Sequence, residues 1–160
     1  MFVMETVGNI FESDCTIIMH QANSFTTMSA GIAKEMKMRY PEAFEADVNF
    51  YIPRGSRERL GKHSFAWART EDRLLVNLYG QHGFGRDRKY TEEEMLLAAI
   101  EDSFLKIPAL QQRRPDMRIK VGMPMYIGCG LAGGDWTVVS QDIEALAIKH
   151  NIPVYFYRLK

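Results

Sequence analysis

Cysteine is scarce in this chain. Cys15 and Cys129 are the only two, with no CxxC pair and no paired-histidine spacing. That argues against a disulfide framework or a structural zinc site, and it makes a reducing, cytoplasmic setting the expectation. Excess charge of either sign is missing too, because 20 Lys+Arg balance 20 Asp+Glu. A protein dedicated to duplex nucleic acid needs a basic face to displace counterions, so no dedicated nucleic-acid binding is expected. No apolar run approaches the roughly 18 residues of a bilayer-spanning helix. The start, Met1-Phe2-Val3-Met4-Glu5, lacks the basic and long apolar regions of a secretory signal, so no membrane partner is expected. Internal repeats, low-complexity tracts and linkers are also absent. What is present is ordinary for a globular chain: 160 residues, 46% hydrophobic and 25% charged. The expectation is one domain over 1–160, burying about two-thirds of its unfolded surface.

Short β-rich runs alternate with helical periods. Phe2 to Val7 reads as a first strand, and Thr16-Ile17-Ile18-Met19 as a strand covered on both faces. Gln21 to Ala30 reads as a polar and small-residue loop. A helix then opens at Gly31, with Ile32, Ala33, Met36 and Tyr40 on one stripe. It ends at Tyr40, since a residue before proline is biased away from helical geometry, and Pro41 starts a second helix. Residues 53–62 read as polar loop, Ser64 to Ala68 and Leu74 to Leu78 as paired strands, and Tyr79 to Lys89 as loop. Thr91 and Glu94 have capping-box spacing ahead of a helix that buries Leu96, Leu97, Ile100 and Phe104. Ile119 to Met125, a helix over Thr137 to His150 and the strand Val154 to Tyr157 complete the chain. Phe65 and Trp67 read as core. The alternation predicts an α/β fold with helices on both faces of the sheet.

In open α/β sheets, ligands gather where loops leave the carboxyl ends of strands. Two stretches fit that position. One runs from His20 to Ile32. The other is Gly128-Cys129-Gly130-Leu131-Ala132-Gly133-Gly134-Asp135-Trp136, with four glycines in seven residues. Glycine lets backbone amides approach a ligand, and a helix N-terminus favours an anion, so a diphosphate held between two loops is one reading. Glycines serving only turns and close packing is the other.

The order of these segments resembles the macro domain family. His20-Gln21-Ala22-Asn23-Ser24 followed by Ala30-Gly31-Ile32-Ala33 is similar to the family's first ligand loop. Ile127 to Trp136 is similar to its diphosphate loop, and Val7-Gly8-Asn9-Ile10 to its adenine corner. The likeness runs from Val3 to Tyr157 and is nearest the branch of ADP-ribose-1''-phosphate phosphatases and ADP-ribosyl-glutamate or nucleotide hydrolases. It implies a three-layer α/β/α domain around a mixed sheet, with ADP-ribose or ADP-ribose-1''-phosphate bound over the sheet and no cofactor. An ADP-ribosylated macromolecule is the larger candidate partner. By position, Asn9 and Ile10 would line the adenine pocket and Asn23 would bond the distal ribose. The amides of Gly31, Ile32 and Ala33 would sit near phosphate and ribose. Gly128 and Gly130 through Leu131, Ala132, Gly133 and Gly134 would wrap the diphosphate. Tyr155 or Phe156 would stack on adenine.

Two departures stand out. Asn9 occupies the place of an adenine-binding Asp. The lysine used by glutamate- and DNA-directed hydrolases is absent from Tyr79-Gly80-Gln81-His82-Gly83, and their acidic loop residue falls at Ala132. A lysine adduct therefore does not transfer, which leaves His20 as proton carrier and Asp135 as the group orienting water or the histidine. Against these stand plainer readings: His20 as a structural hydrogen-bond partner, and Asp135 as the N-cap of the last helix. His82 is a further catalytic candidate, and Cys129 reads as a small packing residue. The Arg54, Arg57, Arg59 and Arg86, Arg88, Lys89 clusters read as solvated charge or as an attractor of polyanions. The leading expectation is a metal-independent hydrolase of ADP-ribose-1''-phosphate or a related distal-ribose derivative. The rivals are a non-catalytic ADP-ribose reader and an unrelated nucleotide-binding α/β domain.

Overall fold

The computed structural model describes residues 1–159. Six strands form one mixed sheet: β1 (Val3–Val7), β2 (Ile17–Asn23), β3 (His63–Trp67), β4 (Leu74–Gln81), β5 (Val121–Pro124) and β6 (Val154–Arg158). Their order is β1-β6-β5-β2-β4-β3, parallel throughout except for β3, which pairs antiparallel with β4 at one edge. Helices α1 (Gly31–Arg39) and α2 (Pro41–Val48) cover one face. Helices α3 (Glu93–Phe104), α4 (Ile107–Arg113) and α5 (Trp136–His150) cover the other. This is the three-layer α/β/α arrangement that the alternation of elements predicts. Among the described residues no helix is long and apolar enough to cross a membrane.

The central strand β2 explains the layering. All seven of its residues are buried, so both faces need a cover. Successive side chains alternate sides. Ile17 and Met19 join Leu96, Ile100, Val139 and Ile143 under α3 and α5, whereas Ile18 joins Met36, Tyr40 and Ala43 under α1 and α2. The junction between α1 and α2 follows from the Tyr40-Pro41 step: Tyr40 leaves helical geometry at φ −133° and Pro41 takes the first position of the next helix.

Several boundaries differ from the sequence reading. Strand β2 continues past Met19 to Asn23, and β4 past Leu78 to Gln81, because the polar side chains there find partners inside the fold. Thr91 does not cap α3. The helix begins at Glu93 behind Glu92, which makes no side-chain cap, and the Thr91 hydroxyl is used elsewhere. Helix α4 is additional. Phe65 and Trp67 are not core: they lie 54% and 38% exposed on the edge strand.

Arg59 is likewise not a solvated loop charge but is fully buried. Its Nη1 pairs with Asp47 Oδ1 at 3.0 Å, and its Nε donates to the Ile52 carbonyl at 2.8 Å. The guanidinium also lies 5.3 Å from the Tyr79 ring centroid. Burial raises the Asp47 carboxyl above the usual carboxylate range, against the pull of Tyr79 and Arg59. Breaking a buried pair from one side strands the other charge. Arg59→Met is expected to destabilise the fold by ~3–5 kcal/mol in urea unfolding, and the double change Arg59→Met/Asp47→Leu by less. A double variant as damaged as the sum of the singles would show the pair to be uncoupled.

Candidate ligand cleft

Strands β2 and β5 are parallel neighbours, yet the chain leaves them in opposite directions. From β2 it passes to α1 on one face, and from β5 to α5 on the other. Such a divergence opens a crevice at the carboxyl ends of the strands, the usual ligand position in α/β sheets. The crevice is bounded by a first loop, 24–30, and a second, 125–135.

Asn23 shapes the first loop. Its Oδ1 accepts from the Phe25 amide at 2.8 Å and the Thr27 amide at 3.4 Å, while its Nδ2 donates to the Thr27 carbonyl at 2.9 Å. The loop bends through Thr26 at φ +56° and enters α1 through Gly31 at φ +57°. No side chain caps α1. The amides of Gly31, Ile32 and Ala33 have no acceptor within the described residues. A helix start with free amides carries partial positive charge and favours an anion.

The second loop is folded by short turns: Cys129 N to Tyr126 O at 2.7 Å, Gly133 N to Gly130 O at 3.2 Å and Gly134 N to Gly128 O at 2.9 Å. Tyr126 sits at φ +65°, an uncommon conformation for an aromatic residue. Between these turns the amides of Gly130, Leu131 and Ala132 have no acceptor within the described residues. Gly128 needs its missing side chain, since a Cβ there would lie 2.8 Å from Leu96 Cδ2 at φ +73°. Gly130 differs: a Cβ would meet open space, and the residue is exposed. The loop is anchored from below by Thr91, whose hydroxyl donates to the Gly128 carbonyl at 2.5 Å and accepts from Gln21 Nε2 at 2.9 Å. It is anchored from the side by Tyr90 and Thr91 amides donating to the Ala132 carbonyl.

The structure brings Asn23, Gly31–Ala33 and Gly128–Gly134 to this crevice, and it separates other sequence candidates from it. His20 is fully buried on the α1/α2 face. Its Nε2 bonds Asn77 Oδ1 at 2.6 Å, and Asn77 in turn donates to the Ala43 carbonyl and to Ser64. Desolvation pushes its pKa down to about 4, so the ring is neutral near pH 7 and enclosed away from any substrate water. Here the structural reading of His20 replaces the catalytic one. Asp135 lies exposed at the rim, where its Oδ1 caps α5 by accepting from Thr137 N at 3.0 Å and Val138 N at 3.5 Å. The α5 terminus is thus already occupied by the chain's own carboxylate, so of the two helix starts only that of α1 is open to an anion.

Phe156 is a core residue, 5.0 Å from the Trp136 ring. Tyr155 lies at the entry end of β6 against Lys120, whose Nζ is 4.5 Å from its ring. Phe156 pairs with Met123 and is fully enclosed, and Tyr155 pairs with Gly122 and packs on the α1/α2 side of the sheet, so neither ring is presented to the crevice. Tyr126, missed by the sequence reading, is the exposed aromatic at the end of β5; its positive φ has no sequence signal. Ile10 is buried with the α1/α2 core, and Asn9 uses its Oδ1 to accept the Phe11 amide at 3.0 Å. His82 stacks edge-on to Phe25, with 4.9 Å between ring centroids, beside the first loop. The Cys129 thiol is pushed up to about 11 by burial and the nearby Glu93 and Asp135, which disfavours the nucleophilic thiolate. Arg57 pairs with Glu92 and Lys89 with Glu93, while Arg54, Arg86 and Arg88 are exposed. Among the described residues no group of three His, Cys, Asp or Glu side chains could hold a metal.

The enclosed His20 has a measurable consequence. Its folded pKa of about 4 lies below the usual 6.5. As pH falls from 6.5 to 4 the unfolded chain takes a proton that the folded chain refuses, so stability is lost across that window, by roughly 3 kcal/mol. Urea unfolding from pH 7 to pH 4 is expected to show this loss, and His20→Gln is expected to flatten it. An unchanged slope in the variant would contradict the assignment.

No protein-family model matches the chain. An uncharacterized 17.5 kDa protein of Enterobacteria phage T4, from the tk-vs intergenic region, is 25% identical over 139 residues, 86% of this chain and 83% of that one. The macrodomain of Mycobacterium tuberculosis DarG superposes with a TM-score of 0.77 at 20% identity, covering 97% of this chain and 96% of that one. A macrodomain protein from Streptomyces coelicolor gives 0.69 at 22% identity, covering 98% of both chains. Thermosipho africanus DarTG, solved in complex with ADP-ribose, gives 0.67 at 20% identity over 98% of this chain and 42% of that one. With its sheet order, its two helical layers and these superpositions over nearly the whole length, the chain has the macrodomain fold.

Proposed function

We propose that this chain binds ADP-ribose in the crevice between β2 and β5. The observation that carries the reading is the pair of partnerless amide runs, Gly31–Ala33 and Gly130–Ala132, at the ends of two neighbouring strands. Two such runs suit the two phosphates of a diphosphate, which needs several donors and no particular side chain. Tyr126 at the end of β5 supplies an exposed ring for the base, in place of Tyr155 or Phe156. Asn9 stands at the end of β1, where the adenine edge would lie. The fold neighbour DarTG, solved with ADP-ribose, supports the same ligand class.

The finer reading is hydrolysis of ADP-ribose-1''-phosphate or a related distal-ribose derivative. Loop amides would stabilise charge on the transferring group, and Asp135, exposed at the rim, would orient the attacking water. A second reading, a reader without turnover, is favoured by one observation: two of the three catalytic candidates have structural duties, His20 inside the fold and Asp135 as a helix cap.

A phosphorus NMR time course with ADP-ribose-1''-phosphate separates these readings. Perturbed diphosphate signals are expected in either case. Loss of the monoester signal with growth of free phosphate marks the hydrolase, and an intact monoester marks the reader. No change in any signal overturns the ligand assignment. Gly130→Glu is expected to fold normally, since its Cβ enters open space, and to weaken ADP-ribose about tenfold or more by placing a carboxylate among the phosphate donors. In the hydrolase reading Asp135→Asn keeps the cap and the affinity but lowers turnover by about 10²-fold or more.

A further inference from the structure

The β3 edge, on the far side of β4 from the crevice, carries features that ligand binding in the crevice does not use. Hydrogen bonds from Tyr79 N to Lys62 O and from Ala68 N to Arg73 O fix which residues of this strand bond to β4. By the alternation of an antiparallel ladder, the N–H and C=O groups of His63, Phe65 and Trp67 then point outward, away from β4. Natural edge strands are blunted by proline, lysine or bulges. The segment His63-Ser64-Phe65-Ala66-Trp67 has none of these, and Phe65 and Trp67 are exposed on it.

A groove of about 880 Å³ runs along this edge, bordered by Phe65, Trp67, Lys62, Lys106 and Arg113. Among the described residues none of the three cations pairs with a carboxylate. The one acid in the groove, Asp102, is hydrogen-bonded to His63 Nδ1 at 2.7 Å, so three cations stand against one carboxylate. The lining thus carries an excess of positive charge beside an open strand edge.

We infer that the β3 edge is a docking site for an extended acidic peptide, which adds to the sheet as a seventh strand. Its backbone pairs with His63, Phe65 and Trp67. Its apolar side chains cover Phe65 and Trp67, and its carboxylates meet Lys62, Lys106 and Arg113. The same cations disfavour a second copy of this chain, which would bring like charge to the contact. Rings and cations also suit a single nucleic-acid strand, but outward amide and carbonyl groups in strand register are matched by a polypeptide backbone.

The test is fluorescence anisotropy of the full chain with three labelled probes: a peptide alternating Ile with Glu, one alternating Ile with Lys, and oligothymidylate. The Ile/Glu peptide is expected to bind and to slow amide exchange at Phe65 and Trp67. Lys106→Glu/Arg113→Glu is expected to weaken it about tenfold or more. Beyond the ring, which Phe65→Ala removes too, Phe65→Pro takes away only an outward N–H, so the β4 ladder and the circular dichroism should survive. It is expected to bind more weakly than Phe65→Ala, a difference that ring loss alone does not produce. Equal binding of both peptides, binding of oligothymidylate alone, binding without amide protection, or no binding at all would each overturn the proposal.

Discussion

The crevice depends on one hydroxyl. Thr91, buried ahead of α3, accepts from Gln21 at the end of β2 and donates to the carbonyl of Gly128 at the start of the second loop. It thereby fixes the height of the glycine-rich loop over the sheet. Gly80 and Gly134 are required by this closeness. A Cβ on Gly80 would lie 2.3 Å from Gln21 Oε1, and one on Gly134 would lie 2.6 Å from the Gly128 carbonyl oxygen. With those atoms pinned, the free amides of Gly130 to Ala132 are held in place before any ligand arrives. Pre-organised donors bind an anion without first losing loop entropy.

A second polar system lies on the opposite side of the sheet. His20, Asn77, Ser64, Tyr79, Asp47 and Arg59 form a continuous hydrogen-bonded chain beneath α2. Two of the links are directed by their chemistry: Asn77 donates to Ser64, and Tyr79 donates to Asp47 at 2.7 Å. Burial and the neighbouring Asp47 raise the Tyr79 hydroxyl above its ordinary range, so it stays a donor at neutral pH. Such a chain fixes α2 and the β3–β4 pair against one another, because a shift of one member leaves others unsatisfied in a low-dielectric interior. Histidine serves here as a neutral structural link in the middle of β2, with its ring among the α2-side partners rather than at the second loop.

The architecture was largely legible in the sequence. Continuous apolar runs marked the buried strands, Tyr40-Pro41 marked the break between α1 and α2, and the small residues around Gly31 and Gly128–Gly134 lie where loops leave the sheet. What escaped depends on tertiary partners. Arg59 reads as loop charge because only the fold brings Asp47 against it. The Thr91–Glu94 spacing suggests a capping box, but a tertiary carbonyl takes the hydroxyl. Phe156 and Tyr155 entered as base-stacking rings only through their position in the family resemblance, and burial and packing in the sheet are not visible in a single strand's sequence. Phe65 and Trp67 read as core because aromatic strands usually are, and here they face an open edge.

The proposed binding of ADP-ribose requires the partnerless amides on the two loops to act as one anion site. A ¹⁵N-resolved NMR titration of the full chain with ADP-ribose tests it most directly. Saturable shifts are expected at Gly31, Ile32, Ala33, Gly130, Leu131 and Ala132, with His20 and the β3 edge unmoved. Shifts confined to other surfaces, or shifts on one loop without the other, would contradict it.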